Sequence, residues 1–282
     1  MPLLLTRVLT ALAILPVVLG MLFFAPPAWW GLFMLVIALL ACWEWSRMCG
    51  LTPAGQGLYL AASGAIGAFL WLLYLSLVPG NFAAMALTCF IVATVFWIGG
   101  VPLWLAQRLR PSPSTCAAAG WIVAWPAFLA FVVLRDTSPW LLLAVAALVW
   151  VADIAAYFAG KRFGRHKLAP AVSPGKTWEG VLGAIAGVAV YGGVLAGIAN
   201  SYSTPLTSLF DDGAAFAVVI AMVGLTALSV VGDLFESWMK RGAGLKDSSR
   251  LLPGHGGVLD RIDALTSTLP VAALALYATR LT

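Results

Sequence analysis

Three clusters of polar side chains interrupt an otherwise apolar sequence. The first is GDLFESWMKR at 232–241, where Asp233, Ser237 and Lys240 stand at i, i+4 and i+7. On a helix these form one stripe, with Arg241 beside it. A carboxylate with a hydroxyl is a donor set that a hard cation such as Mg2+ accepts, and the neighbouring cations suit phosphate oxygens. Lys240 and Arg241 alone would be equally well explained as snorkelling anchors at a helix end. That reading leaves Asp233 without a purpose.

The second cluster is PGHGGVLDRID at 253–263. Gly254, Gly256 and Gly257 flank His255, in a loop whose N–H groups can approach a phosphate closely. Asp260 and Asp263 follow at i, i+3. One Asp would suffice to cap a helix. Two of them behind such a loop point to a metal site, or to a site for metal and phosphate together.

The third cluster is ADIAAYFAGKRFGRHKLAPAVSPGKTWEG at 152–180. Asp153 and Tyr157 share a helix face, and Lys161, Arg162, Arg165 and Lys167 come in a glycine-punctuated turn. The GKT triplet ends like a P-loop, but that pattern needs Gly at position 170, where Pro170 stands, and no strand is expected ahead of it. Lys176 is therefore read as a phosphate-contacting cation. Ser173, Thr177 and Glu179 read as a capping arrangement that opens a helix.

The elements that hold these clusters follow from composition. The chain has 282 residues, of which 62% are hydrophobic and 10% charged, with a mean hydropathy of +0.98. Soluble domains are about one-quarter charged. Apolar runs near the length that crosses the hydrocarbon layer occur at 8–24, 30–48, 58–78, 82–106, 116–134, 140–158, 179–199, 214–234 and 264–279. The expected fold is all-α: a polytopic membrane protein of about nine transmembrane helices forming a single membrane domain over 1–282. No barrel-type strand pattern is seen. Residues 1–139 read as plain helices, and residues 140–282 carry the site. The first span reads as a retained helix rather than a cleaved signal, since Pro26 and Pro27 follow it without a small-residue cleavage pattern.

Charge placement gives orientation. With a cytoplasmic N-terminus, 14 of the 16 Lys and Arg lie inside and only Arg135 and Arg280 outside, as the positive-inside rule requires. A bacterial inner (plasma) membrane with a cytoplasmic site is the expected location. Asp153 and Asp233 intrude into spans, where a carboxylate costs several kcal/mol and so faces protein or water. Glu44 lies near a span end, where its charge can reach the interface, and is assigned no role. Trp29, Trp30, Trp43 and Trp45 suit interfacial belts. Asp211 and Asp212 read as a solvated turn and cap. The four cysteines, without CxxC or metal spacing, read as free thiols.

Residues 237–263 have the form S-x-x-K-R-x4-K-D-x-S-x2-L-P-x-H-G-G-x-x-D-R-x-D. This resembles the signature of the phosphatidate cytidylyltransferases, or CDP-diacylglycerol synthases, with no departure in the stretch. ADIAAYFAGKRFG and SPGKTWEG resemble that family's second characteristic region. The resemblance implies transfer of a cytidylyl group from CTP to phosphatidate, giving CDP-diacylglycerol and pyrophosphate. It also implies an all-helical fold, a divalent metal, usually Mg2+, paired with a monovalent ion such as K+, and a possible homodimer. The metal-binding carboxylates it implies are Asp233 and Asp260.

The inventory suits that chemistry. The phosphate of phosphatidate is itself a nucleophile near neutral pH, since its second pKa lies near ~6, so no Ser or His nucleophile is needed. Lys176, Lys240, Arg241 and Lys246 would offset the repulsion between two polyanions. Asp153, Asp247 and Asp263 are further candidates for ligation, His255 for contact with leaving pyrophosphate, and Ser237 as ligand or phosphate contact. The bilayer is an expected partner and nucleic acid is not. Rival readings are a transferase acting on another lipid phosphate and a transporter of anions. The latter should show broken helices in both halves, and no internal repeat is visible.

Overall fold

The computed structural model describes residues 3–76, 79–199 and 215–281. In chain order the helices are α1 (Leu3–Phe24), α2 (Pro27–Ser46), α3 (Pro53–Leu75) and α4 (Pro79–Val95). A single π-turn (Phe96–Gly100) runs on into α5 (Val101–Ala106), followed by α6 (Pro113–Thr137) and α7 (Pro139–Phe163). A hairpin of β1 (Lys167–Ala169) and β2 (Ser173–Thr177) leads into α8 (Trp178–Ala199), α9 (Ala215–Gly242) and α10 (Leu259–Leu281). Asp211 and Asp212 lie outside the described residues.

Proline and capping side chains set where these helices begin. Pro27, Pro53, Pro113 and Pro139 occupy first turns, where a missing N–H costs nothing. Thr52 and Ser112 cap two of them by accepting from Gly55 N and Thr115 N at 3.1 and 3.2 Å. Among the described residues, eight helical stretches are long and apolar enough to cross a membrane, with α4, the π-turn and α5 counted as one. The expected all-α membrane fold is borne out. The expected ninth span corresponds to α10, a 23-residue helix with Asp260 in its first turn.

Large apolar side chains such as Phe24, Leu58, Leu72, Val190 and Phe216 face outward. They suit a solvent of lipid tails. The interior is built around α6, which packs against α2, α4, α7 and α10 and carries an unbroken buried run from Val123 to Ala130. Two of the expected interfacial tryptophans belong to this interior instead. Trp30 and Trp45 are buried, because their indole N–H groups find carbonyl partners inside, on Phe131 at 3.1 Å and Cys116 at 2.8 Å. Arg135, in the last turn of α6, is also buried. Its guanidinium donates to Leu22 O and Ala25 O, the last carbonyls of the α1 region. All four cysteines are free.

Two features fix the helices that carry the polar clusters. Phe235 of α9 is fully buried in a cage of Trp45, Phe96, Trp97 and Trp104, with ring centroids 5.4–5.9 Å away. This sets the rotation of α9 about its axis. Helices α7 and α8 are packed through small residues, as close helix pairs in membranes are. A Cβ on Gly187 would lie 2.7 Å from Ala155 Cβ, and one on Gly183 would collide with Ala159 Cβ.

Gly183→Val is accordingly expected to destabilise the protein by about 1–3 kcal/mol through overpacking. Gly193→Val, on the same helix with nothing within 4 Å, should leave the detergent melting temperature near its original value. Equal melting temperatures for the two variants would contradict this packing.

Candidate active site

Two of the three polar clusters, 152–180 and 232–241, meet where α7, the hairpin, α8 and α9 converge on an open cavity of about 420 Å³. Asp153, Tyr157 and Lys161 reach it from α7, Ser173 and Lys176 from β2, and Asp233 from α9. The strand is a departure from the sequence reading. SPGKT forms β2, antiparallel to β1, with Lys167 opposite Thr177 and Ala169 opposite Ser173. Alternation along a strand turns Thr177 inward while Lys176 lines the cavity. Thr177 also opens α8 as expected, its Oγ1 accepting from Gly180 N at 3.1 Å. Glu179 instead pairs with His166, Oε1 to Nδ1 at 2.6 Å.

The i, i+4 geometry on α9 is realised: Ser237 Oγ donates to Asp233 Oδ1 at 3.2 Å. Lys176 Nζ meets Asp233 Oδ2 at 2.6 Å. This ion pair joins two motifs 57 positions apart in sequence. Asp153 lies within electrostatic reach of Asp233, Lys176 and Arg261.

Lys240 turns away from Asp233. Its ammonium bridges Glu236 Oε2 at 2.9 Å and Asp260 Oδ1 at 2.6 Å, tying α9 to α10. Asp260 Oδ2 accepts from Ser248 N and Oγ, both at 2.9 Å, and from Gly257 N at 2.8 Å. The capping reading of Asp260 is therefore realised along with its ion pair. Asp260 precedes the apolar stretch of α10. Burial alone would raise its carboxyl, but the hydrogen bonds from Lys240 and Gly257, the Lys240 charge and the Ser248 N–H outweigh that and hold it below its usual range.

Asp263 lies against Asp233 and Glu236, and its Oδ1 accepts from Ala264 N at 2.8 Å. Arg241, Lys246 and Asp247 are exposed at the end of α9 and in the loop after it. Arg241 donates to Leu245 O at 3.2 Å. His255 is partly buried, and its Nδ1 has no partner among the described residues.

Two acidic residues were missed in the sequence. Glu236 is buried, and its Oε1 has no hydrogen-bond partner among the described residues. Its i, i+4 spacing to Lys240 was a visible signal. Glu44, assigned no role, is fully buried rather than at the interface. Ser248, Ser249, Val258 N and Leu259 N all donate to it. The rule that singled out Asp153 and Asp233, a carboxylate inside a span, applied to Glu44 as well.

Among the described residues no three metal-ligating side chains converge into a ready coordination shell. The donors nevertheless fit a hard cation. Asp233 lines the cavity with each oxygen engaged by only one partner, and Glu236 Oε1 is a buried oxygen without one. Asp260 is less available, since its Oδ2 already receives three donors. A Mg2+ ion is typically held by one or two carboxylates and completed by substrate phosphates and water.

Comparison with known proteins agrees with the resemblance drawn from residues 237–263. The family model "Cytidylyltransferase family" matches residues 5–279. The chain is 39% identical over 277 residues to the phosphatidate cytidylyltransferase of Pseudomonas aeruginosa, covering 96% of each chain. It is 36% identical over 282 residues to that of Haemophilus influenzae, covering 94% of this chain and 95% of the relative. To the Thermotoga maritima phosphatidate cytidylyltransferase it is 36% identical over 184 residues, 64% of this chain and 66% of the relative. The resemblance therefore extends beyond the motifs into the N-terminal helices, and the chain belongs to the cytidylyltransferase family.

Proposed function

We propose that this protein transfers the cytidylyl group of CTP to phosphatidate, forming CDP-diacylglycerol and pyrophosphate, at the cavity bounded by Asp153, Lys176 and Asp233. The observation that carries the reading is the Lys176–Asp233 pair. It supports the reading by setting a carboxylate of α9, four positions ahead of the 237–263 signature, and an ammonium of the SPGKTWEG region side by side on one cavity. The relatives named above, matched over nearly the whole chain, support the same substrates.

A phosphatidate oxygen attacks the α-phosphorus of CTP in line. The new oxygen–phosphorus bond forms as the bond to the β-phosphate bridging oxygen breaks, and pyrophosphate leaves with that electron pair. The obstacle is the meeting of two polyanions, so the protein's task is mainly electrostatic. Lys176 is placed to exchange its contact with Asp233 for a phosphate oxygen. Lys161, with Arg241 and Lys246 further out, supplies positive charge toward incoming substrate. Lys240 is committed to Glu236 and Asp260 and serves to fix α10 against α9. Asp233, with Glu236 or Asp263 behind it, would hold a divalent cation such as Mg2+, and Asp260 would contribute only through Oδ1, by sharing the oxygen that now pairs with Lys240. When bound, that ion neutralises phosphate charge and orients the leaving group. His255 sits in the loop that pyrophosphate would meet. The strong inward bias of Lys and Arg supports a bacterial inner membrane with this face in the cytoplasm. A homodimer and a second, monovalent ion rest on the family resemblance alone.

Purified protein in detergent, given phosphatidate, α-labelled CTP and Mg2+, is expected to move label into the organic phase, and EDTA should stop it. Label that stays aqueous while CTP binds would mean a different acceptor.

Asp233→Asn should remove label transfer without lowering the melting temperature appreciably. Lys176→Gln should reduce kcat by roughly a hundredfold or more, the usual scale for one lost charge-stabilising donor. Near-parental turnover in either would remove that residue from the site.

A further inference from the structure

Glu44 closes α2, some 200 positions before the loop that it contacts. Its side chain is fully buried. Oε1 accepts from Ser249 Oγ at 2.5 Å and Val258 N at 2.9 Å, and Oε2 from Ser248 Oγ at 3.1 Å and Leu259 N at 2.6 Å. All four donors come from residues 248–259. Val258 N and Leu259 N are the opening amides of α10, whose positive end favours a carboxylate. Arg47, just after α2, adds a bond from Nη1 to Ser248 O at 3.0 Å. At Gly257 a Cβ would run into both Ser248 Oγ and the Glu44 carboxylate. The loop is thus folded directly onto Glu44, with no space for a side chain between them.

Ser248 links this anchor to the site. Its N and Oγ each lie 2.9 Å from Asp260 Oδ2, and the same Oγ is 3.1 Å from Glu44 Oε2. A hydroxyl has one proton to donate, so Ser248 is held between two carboxylates that both draw on it. The contacts then continue from Asp260 to Lys240 and Glu236.

We propose that Glu44 is a positioning residue for cytidylyl transfer. It sets the conformation of residues 248–258 and so the place of Asp260 and Lys240, without touching substrate. This rests on the proposed reaction. It assigns to α2 a part in a site whose recognisable motifs all lie beyond residue 150.

The test is Glu44→Gln, close in shape but presenting an NH2 group to donors. Two readouts are needed. Amide hydrogen exchange of the detergent-solubilised protein should accelerate across 248–259 while α3 and α8 keep their parental rates. In the labelled-CTP assay kcat should fall roughly 10- to 100-fold, as when a side chain that orients a ligand is lost, with a much smaller change in KM for CTP. Parental exchange in 248–259 would overturn the proposal, as would a parental kcat at any melting temperature. Should Glu44→Gln not fold, Ser249→Ala, which removes one donor, is held to the same two outcomes. Exchange is read without turnover, so an unlabelled product with the parental protein would count against the assigned reaction and not against Glu44's hold on the loop.

Discussion

A carboxylate within an apolar slab must find a partner, since the medium offers none. Most of what is specific in this protein follows from meeting that requirement. Lys240 is the central solution: one ammonium satisfies Glu236 on its own helix and Asp260 on the next. Breaking a buried pair typically costs about 3–5 kcal/mol, because the remaining charge is left alone. Here two carboxylates would be stranded together. Asp233 uses a different partner, Lys176 from the hairpin, and Glu44 is met, among the described residues, by N–H and hydroxyl donors. Each solution ties together segments distant in sequence.

Apolar packing serves the same end. The aromatic cage around Phe235 fixes α9 immediately beside Asp233 and Glu236, so the acidic residues face the α10 side and the cavity, and not lipid. The small-residue contact of α7 with α8 brings Asp153 and the hairpin within reach of α9. Without that close approach Lys176 would not meet Asp233. The plain N-terminal helices are therefore part of the same construction. Trp45 belongs to the cage and Glu44, its neighbour in sequence, to the loop anchor.

Much of this was legible in the sequence because membrane solvent makes polar residues conspicuous. Hydropathy marked the eight long apolar stretches, and the i, i+4 spacing marked the Asp233–Ser237 contact on α9. The strand at 173–177 was not legible: five residues with a proline and a glycine carry too little periodicity to be told from a turn, and their pairing with 167–169 is a tertiary outcome. Lys240 was read by its position as a surface cation, whereas its partner was decided by Asp260, twenty residues on. Trp30 and Trp45 were misplaced for one reason. Their amphipathic side chains satisfy an interface and a polar niche in the core equally well, and only the fold chooses. Glu44 was passed over because proximity to a span end was taken as access to water.

In the proposed reaction phosphatidate attacks CTP directly, and the protein contributes charge and position, not a nucleophile. The stereochemical course tests it most directly. CTP made chiral at the α-phosphorus by sulfur substitution should give CDP-diacylglycerol with inverted configuration, as one in-line displacement requires. Retention would demand two displacements through a covalent cytidylyl-enzyme, and would contradict the account.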